Sequence, residues 1–299
     1  MDNINLNSLS YKIRRRLLFG CSRLLPDRFY LKHLFPLVMG YPLDLKHPQT
    51  FNEKQQWLKL YDRRPEYTQM VDKYEVKKLV ASKIGEEYVV PTIATYKRAE
   101  EIMFEDLPDQ FVIKCTHDSG SVYICRDINA FNRKLVIEKF KFLLKKNYYW
   151  KNREWPYKHV TPQIIVDQYL DDKGDDVVRD YKFWCFNGKP YVMYCTNKGK
   201  DIYENFYDMS FRPLSISHGF RKVEKAIEKP KSFELMKELA AQLSENIPFV
   251  RVDFFNIDDH VYFGEFTFYD WGGLKPFIDK SWDYRIGEWL RIPERYEAR

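Results

Sequence analysis

Cysteine is scarce in this chain of 299 residues: there are five, at positions 21, 115, 125, 185 and 195, with no CxxC pair. An odd number without paired spacing argues against a disulfide framework or a thiolate zinc site, and a reducing compartment is expected. Histidine is nearly as sparse, at 33, 47, 117, 159, 218 and 260, and none of the six falls in an HExxH pattern. GxxxxGK[ST], GxGxxG and GxSxG are also missing, which removes the standard P-loop, the dinucleotide fingerprint and the hydrolase elbow. No run approaches the roughly 20 apolar residues of a spanning helix, and no signal-peptide core is present, so a cytoplasmic protein is expected.

What is present is 44% hydrophobic and 17% aromatic, enough for one large or two modest cores. The net charge of +6 is concentrated: residues 1 to 60 hold ten Lys/Arg against four Asp/Glu, leaving the remainder balanced. Within that segment, SYKIRRRLLFGCSRLLPDRF sets Ile13, Leu17, Leu24 and Leu25 beside Arg14, Arg15, Arg16 and Arg23. The spacing is that of a basic amphipathic helix, suited either to anionic lipid or to packing on the protein as a surface helix. Nucleic acid is not expected as a partner, because no basic stripe with interleaved aromatics recurs.

The first 60 residues read as helices broken at Pro26, Pro36 and Pro42, followed by a helix capped at Asn52 that buries Trp57, Leu58 and Tyr61. Residues 67 to 84 show helical spacing through Met70, Val71, Tyr74 and Leu79, with Gly85 as the cap. The period then changes. YVVPTIATY, FVIKCTH, SVYICRD, IIVDQYL, YKFWCFN and KPYVMYC are β-rich runs, interrupted by a helical stretch from Asn132 to Lys146. The class is therefore α+β. DDKGDD, from Asp171 to Asp176, reads as a solvated turn, without the downstream glutamate of a calcium loop. There is no internal repeat and no linker of low complexity.

Two constellations carry chemistry. FVRVDFF from Phe249 and YFGEFTF from Tyr262 alternate apolar and polar faces. Joined by a three-residue loop at Asp258, Asp259 and His260, they set Asp253 opposite Glu265 and Arg251 opposite Thr267. Two carboxylates roughly 5 Å apart require a positive charge between them, and a hard divalent cation such as magnesium is one candidate. An amphipathic hairpin facing water is the other reading, and a slip of one residue removes the pairing. In the second, Lys114 leads into the loop His117, Asp118, Ser119, Gly120 and Ser121, whose backbone N–H groups suit phosphate oxygens if it is more than an ordinary turn.

In this order the motifs DKYEVKKLV at Asp72, FVIKCTHDSG at Phe111, IIVDQYL at Ile164, DYKFWCFNGKP at Asp180, FVRVDFF at Phe249 and FGEFTFYDWGG at Phe263 resemble the ATP-grasp superfamily. More narrowly, they resemble the TupA-like ATP-grasp proteins of bacterial surface polysaccharide and teichuronopeptide biosynthesis. The resemblance implies an ATP-grasp fold, two α+β subdomains at about 88–168 and 169–299, within a domain of 61–299 behind a basic helical segment of 1–60. It implies ATP and Mg2+, with Lys73 and Lys114 on phosphates and the loop holding His117, Ser119, Gly120 and Ser121 closing over them. Asp167, Gln168, Tyr169 and Leu170 would form the adenine hinge and Asp180 would meet the ribose. Asp253, Glu265 and Thr267 would hold metal, with Arg251 and Lys182 at the transferring phosphoryl group. Asp167 stands where a glutamate is usual, and Thr267 where an asparagine is.

The implied activity is that of a carboxylate–amine ligase that releases ADP and acts through an acyl phosphate. Its substrates would be a small-molecule or lipid-linked glycan carrying a carboxylate, and an amine from an amino acid or amino sugar. A lipid-linked acceptor would give the basic N-terminus a role in peripheral membrane contact at the inner face of the membrane. Acceptor specificity would fall to the segments Tyr148–Trp155 and Trp271–Phe277. The alternatives are a glycosyltransferase of the same pathway, for which no DxD pair is present, a non-catalytic nucleotide-binding scaffold, and a kinase that stops at phosphoryl transfer.

Overall fold

The computed structural model describes residues 9–171, 180–197, 203–220 and 227–293. The chain begins with α1 (Leu9–Gly20), α2 (Asp27–Met39), α3 (Phe51–Tyr61), α4 (Glu66–Val71) and α5 (Glu75–Ile84). Next come β1 (Thr92–Tyr96), β2 (Phe111–Cys115), β3 (Tyr123–Cys125), α6 (Arg133–Leu143), the single turn α7 (Tyr149–Asn152) and β4 (Ile164–Gln168). The last part holds β5 (Asp180–Phe186), β6 (Lys189–Asn197), β7 (Tyr203–Asp208), β8 (Pro213–Leu214), α8 (Phe233–Leu243), β9 (Phe249–Ile257), β10 (His260–Thr267) and α9 (Ser281–Trp289). Most of DDKGDD, from Asp172 on, lies outside the described residues.

The strands form two antiparallel sheets. A four-stranded sheet has the order β1-β4-β2-β3 and a six-stranded sheet the order β10-β9-β5-β6-β7-β8. Each is amphipathic by strand alternation. In the small sheet Phe111, Ile113, Cys115, Ile164 and Val166 share a core with Val136 and Phe140 of α6. That leaves Lys114 and Asp167 on the opposite face. In the large sheet Phe183 meets Phe233 of α8 on one face, while Trp184, Phe186 and Phe249 gather around Phe51 of α3 on the other. Asp180 and Lys182 share that second face with Trp184, as do Arg251 and Asp253 with Phe249. The face is thus aromatic at one end, where α3 covers it, and charged at the other.

The helices depart from the sequence reading in three places. Pro36 lies inside α2 without ending it; the helix stops at Gly40, whose φ of 82° only a residue tolerant of the left-handed region adopts easily. The cap of α3 is Thr50, not Asn52. Thr50 and Glu53 form a reciprocal capping box, and Asn52, one residue inside, donates to Asp283 of α9. The helix expected over 67–84 is two, α4 and α5, separated at Asp72–Tyr74, where Asp72 Oδ1 accepts the amides of Tyr74 and Glu75. The sequence reading did not anticipate β7, β8, α8 or α9.

Candidate functional site

The charged end of the large sheet is built on the β9–β10 hairpin. Asp253 faces Glu265 and Arg251 faces Thr267, but by a different route from a three-residue loop. The turn has two residues, Asp258 and Asp259, both with positive φ (50° and 65°), and His260 pairs with Ile257. Left alone, that turn would put Glu265 out of register with Asp253. A bulge at Gly264 shifts the pairing by one and restores it. A Cβ at Gly264 would lie 3.1 Å from the Asp253 carbonyl oxygen, so glycine permits the close approach.

The positive charge required between the two carboxylates is supplied by the protein itself. Arg251 Nε donates to Asp253 Oδ1 at 2.7 Å, and its Nη2 donates to Asp253 Oδ2 at 2.7 Å and to Glu265 Oε1 at 3.0 Å. Its Nη1 reaches Asp270 Oδ1 at 2.6 Å and the Tyr194 hydroxyl at 3.1 Å. From β5, Lys182 Nζ lies 2.6 Å from Asp253 and 3.1 Å from Asp180. Burial opposes the charge on both cations, but Asp253 and its neighbours outweigh it. The pKa of Lys182 is raised and that of Arg251 stands well above the guanidinium norm.

On the small sheet a second buried aspartate is held by two cations. Asp167 of β4 is paired with Lys77 of α5 at 2.5 Å and with Lys114 of β2 at 2.9 Å. Lys114, expected on a phosphate, is turned onto Asp167, the aspartate expected at the hinge. Beyond Asp167, the Gln168 amide donates to the Pro91 carbonyl and the Tyr169 hydroxyl accepts from Arg126 Nε. Leu170, half-buried, follows the strand.

The loop after β2 lies at the junction. Lys73, in the break between α4 and α5, donates its amide to the Thr116 carbonyl at 3.1 Å and its ammonium to the Asp118 carbonyl. Burial lowers its pKa, and Glu265 on one side and Asp118 on the other partly restore it. Ser119 and Gly120 are exposed, and nothing lies within 4 Å of where a Gly120 Cβ would be. Ser121 instead closes the loop, accepting from the Cys115 amide and donating to Asp118. His117 is buried with Nε2 3.3 Å from the Leu143 carbonyl, so its ring points into the small-sheet subdomain and not to the loop's open edge.

Asp270, Glu154 and Tyr148 also border the site; Glu154 and Tyr148 fall in the segment expected to set acceptor specificity, and none of the three has an expected role of its own. Asp270 stands beyond β10 in FYDW, a lone acid among aromatics. Glu154 is buried and accepts from Asn152 Nδ2 at 3.3 Å. Its charge, followed by burial, raises the pKa of Tyr148, whose hydroxyl reaches Ser119. Lys59, buried and hydrogen-bonded to Gln56 and the Gly272 carbonyl, has its pKa lowered to about 7 by desolvation, against the pull of Glu154.

The TupA-like ATP-grasp family model matches residues 53–291. The chain belongs to the TupA-like ATP-grasp family. No curated protein matches it. Among solved structures, this ATP-grasp protein is similar to the D-alanine–D-alanine ligase of Bacillus anthracis complexed with ATP, at 13% identity over 72% of this chain and 55% of that one, with a TM-score of 0.39. It is also similar to the D-alanyl-alanine synthetase A of Vibrio cholerae, at 13% identity over 80% and 63%, with a TM-score of 0.43. The chain spans 54% to 59% of the first three structures it matches. Among the described residues no helix is long and apolar enough to cross a membrane.

Proposed function

We propose that this protein is an ATP-dependent carboxylate–amine ligase that forms an amide through an acyl phosphate and releases ADP. In this reading it joins an amino acid or amino sugar to a carboxylate in bacterial surface polysaccharide biosynthesis. The observation that carries the proposal is the network of Lys182, Asp253, Arg251 and Glu265 at the charged end of the large sheet, bordered by Lys73 and the open edge of the Ser119–Gly120 loop.

In this reading, loop backbone amides and Lys73 bind the β- and γ-phosphates, while Lys182 and Arg251 remain as fixed cations where charge develops. A substrate carboxylate oxygen attacks the γ-phosphorus and the bond to the ADP oxygen breaks. The amine nitrogen then attacks the acyl carbon, phosphate leaves with the bonding pair, and the nitrogen gives up a proton. Asp253 does not act on substrate in this scheme; held by three charged hydrogen bonds, it fixes both cations in place.

Magnesium fits the donors present. Asp253, Glu265 and Asp270 are hard oxygen ligands, as is the Thr267 hydroxyl, and magnesium is usually held by one or two carboxylates together with phosphate and water. Glu265, whose side chain is 37% exposed, would hold the ion more readily than Asp253, which is committed to Arg251 and Lys182. When bound, the ion neutralises phosphate charge.

The test is ADP release with magnesium and ATP across a matrix of uronic acids, amino acids and amino sugars. Release that requires both a carboxylate and an amine, and is lost in Asp253→Asn, supports the ligase. Phosphoryl transfer without any need for amine would make the protein a kinase. Thermal stabilisation by a sugar nucleotide but not by ATP would favour a glycosyltransferase.

A further inference from the structure

The first two helices and the turn between them leave large apolar side chains in water. Ile13 and Leu17 of α1 are 48% and 64% exposed, Leu24 in the turn is 85% exposed and Phe29 of α2 is 48% exposed. Scattered exposed apolar residues need no explanation, but a run of them between positions 13 and 29 does. Ile13 and Leu17 stand one turn apart, and at about 100° per residue Arg14 and Arg16 flank their stripe on either side. Leu18 and Phe19 of the same helix pack against the core, so α1 already has an inner face. Arg23 adjoins Leu24, and Arg28 and Lys32 adjoin Phe29; all three are exposed. The one acidic residue of this stretch, Asp27, pairs inward with Arg63 and Arg153.

We infer that this face docks the protein on the surface of an anionic phospholipid bilayer, with Leu17, Leu24 and Phe29 at the headgroup boundary and the arginines on lipid phosphates. Long basic side chains around an apolar stripe are suited to that boundary, where stem and charge find different environments at once. A second copy of the chain would set arginine against arginine. Nucleic acid would engage the arginines but leave Leu17 and Leu24 in water.

The face is fastened to the rest of the molecule by Arg153. Fully buried, Arg153 donates to the carbonyls of Ser22 and Leu25, pairs with Asp27 at 2.9 Å and lies over the rings of Tyr30, Tyr149 and Trp150. The Tyr30 hydroxyl adds a bond to the Lys151 carbonyl at 2.8 Å. Residues 149–153 are bracketed by Tyr148 and Glu154, which border the site, so docking would fix the direction in which the site opens.

Deleting the N-terminus would strip Arg153 of its partners, so the test keeps the chain whole and changes exposed positions only. Wild type, L17S/L24S and R14E/R16E are sedimented with vesicles of equimolar phosphatidylglycerol and phosphatidylcholine, and with pure phosphatidylcholine. No nucleotide or substrate is present, so failure here leaves the ligase reading untouched. Wild type is expected to bind only the anionic vesicles, less as salt is raised, with at least a roughly tenfold loss in each double variant and unchanged melting of both. Failure of wild type to bind anionic vesicles, or equal binding by the variants, would overturn the inference. So would self-association or nucleic-acid retention that the same variants abolish without any vesicle binding.

Discussion

In each sheet a buried aspartate on a strand with neighbours on both sides is held by two cations, yet the balance of charge around the two differs. Asp167 sits between Lys77 and Lys114, an arrangement in which cations outnumber the carboxylate. Around Asp253 the proportion reverses, with Lys182 and Arg251 shared among Asp180, Asp253, Glu265 and Asp270. The small sheet therefore offers positive charge, which suits phosphate, and the large sheet offers carboxylate oxygens around fixed cations, which suit a metal ion and a developing anion. In the proposed ligase, one acid between two bases would serve recognition in one place and chemistry in the other.

Replacing each aspartate in turn is the most forceful way to break this comparison. Asp253→Asn should lower ADP release by about a hundredfold or more, since both fixed cations lose their anchor, and should cost about 3 kcal/mol of stability. Asp167→Asn should cost a similar amount in urea melts but leave turnover at saturating ATP within about tenfold, its effect falling on the apparent affinity for ATP. Equal losses of turnover would mean that the two clusters act as one. Gly264→Ala comes next: the added carbon presses on the Asp253 carbonyl, and a cost of about 1–3 kcal/mol with a matching loss of turnover is expected.

Glu265→Gln sharpens the comparison with little structural cost. Its side chain is more than a third exposed, so melting should move by no more than about 0.5 kcal/mol, while the magnesium concentration needed for half-maximal ADP release should rise. The smallest effect concerns His117. Burial, only partly opposed by Asp118, lowers its pKa below the ordinary 6.5. The unfolded chain therefore binds a proton that the fold excludes below that pH, and stability present above it is lost as the pH falls. His117→Gln should flatten the decline in urea-melt stability between neutral pH and about pH 5.

Much of this architecture was legible because it rests on alternation. The strand runs from Phe111, Ile164, Asp180 and Phe249 announce their two faces directly, and the Asp253–Glu265 pair follows from them. The route to that pair was not legible. A two-residue turn and a compensating bulge give the same opposition as a three-residue loop, and spacing alone does not separate them. Lys77 and Asp270 lay inside the motifs already singled out, but a lysine on a helix face and an acid after a strand become partners only through tertiary contact. Pro36 and Asn52 misled because local preference yields to packing: Asn52 is drawn to Asp283 across the fold. The helix α8 was there to be found, with Phe233, Met236, Ala240 and Leu243 at helical spacing.

The break between α4 and α5 has a consequence in time as well as in space. Because the Lys73 amide donates to the Thr116 carbonyl, and its ammonium to that of Asp118, the end of β2 cannot part from the helices without releasing that amide to water. Deuterium uptake at Lys73 would thus clock that parting, and its rate would tell a local opening from global unfolding.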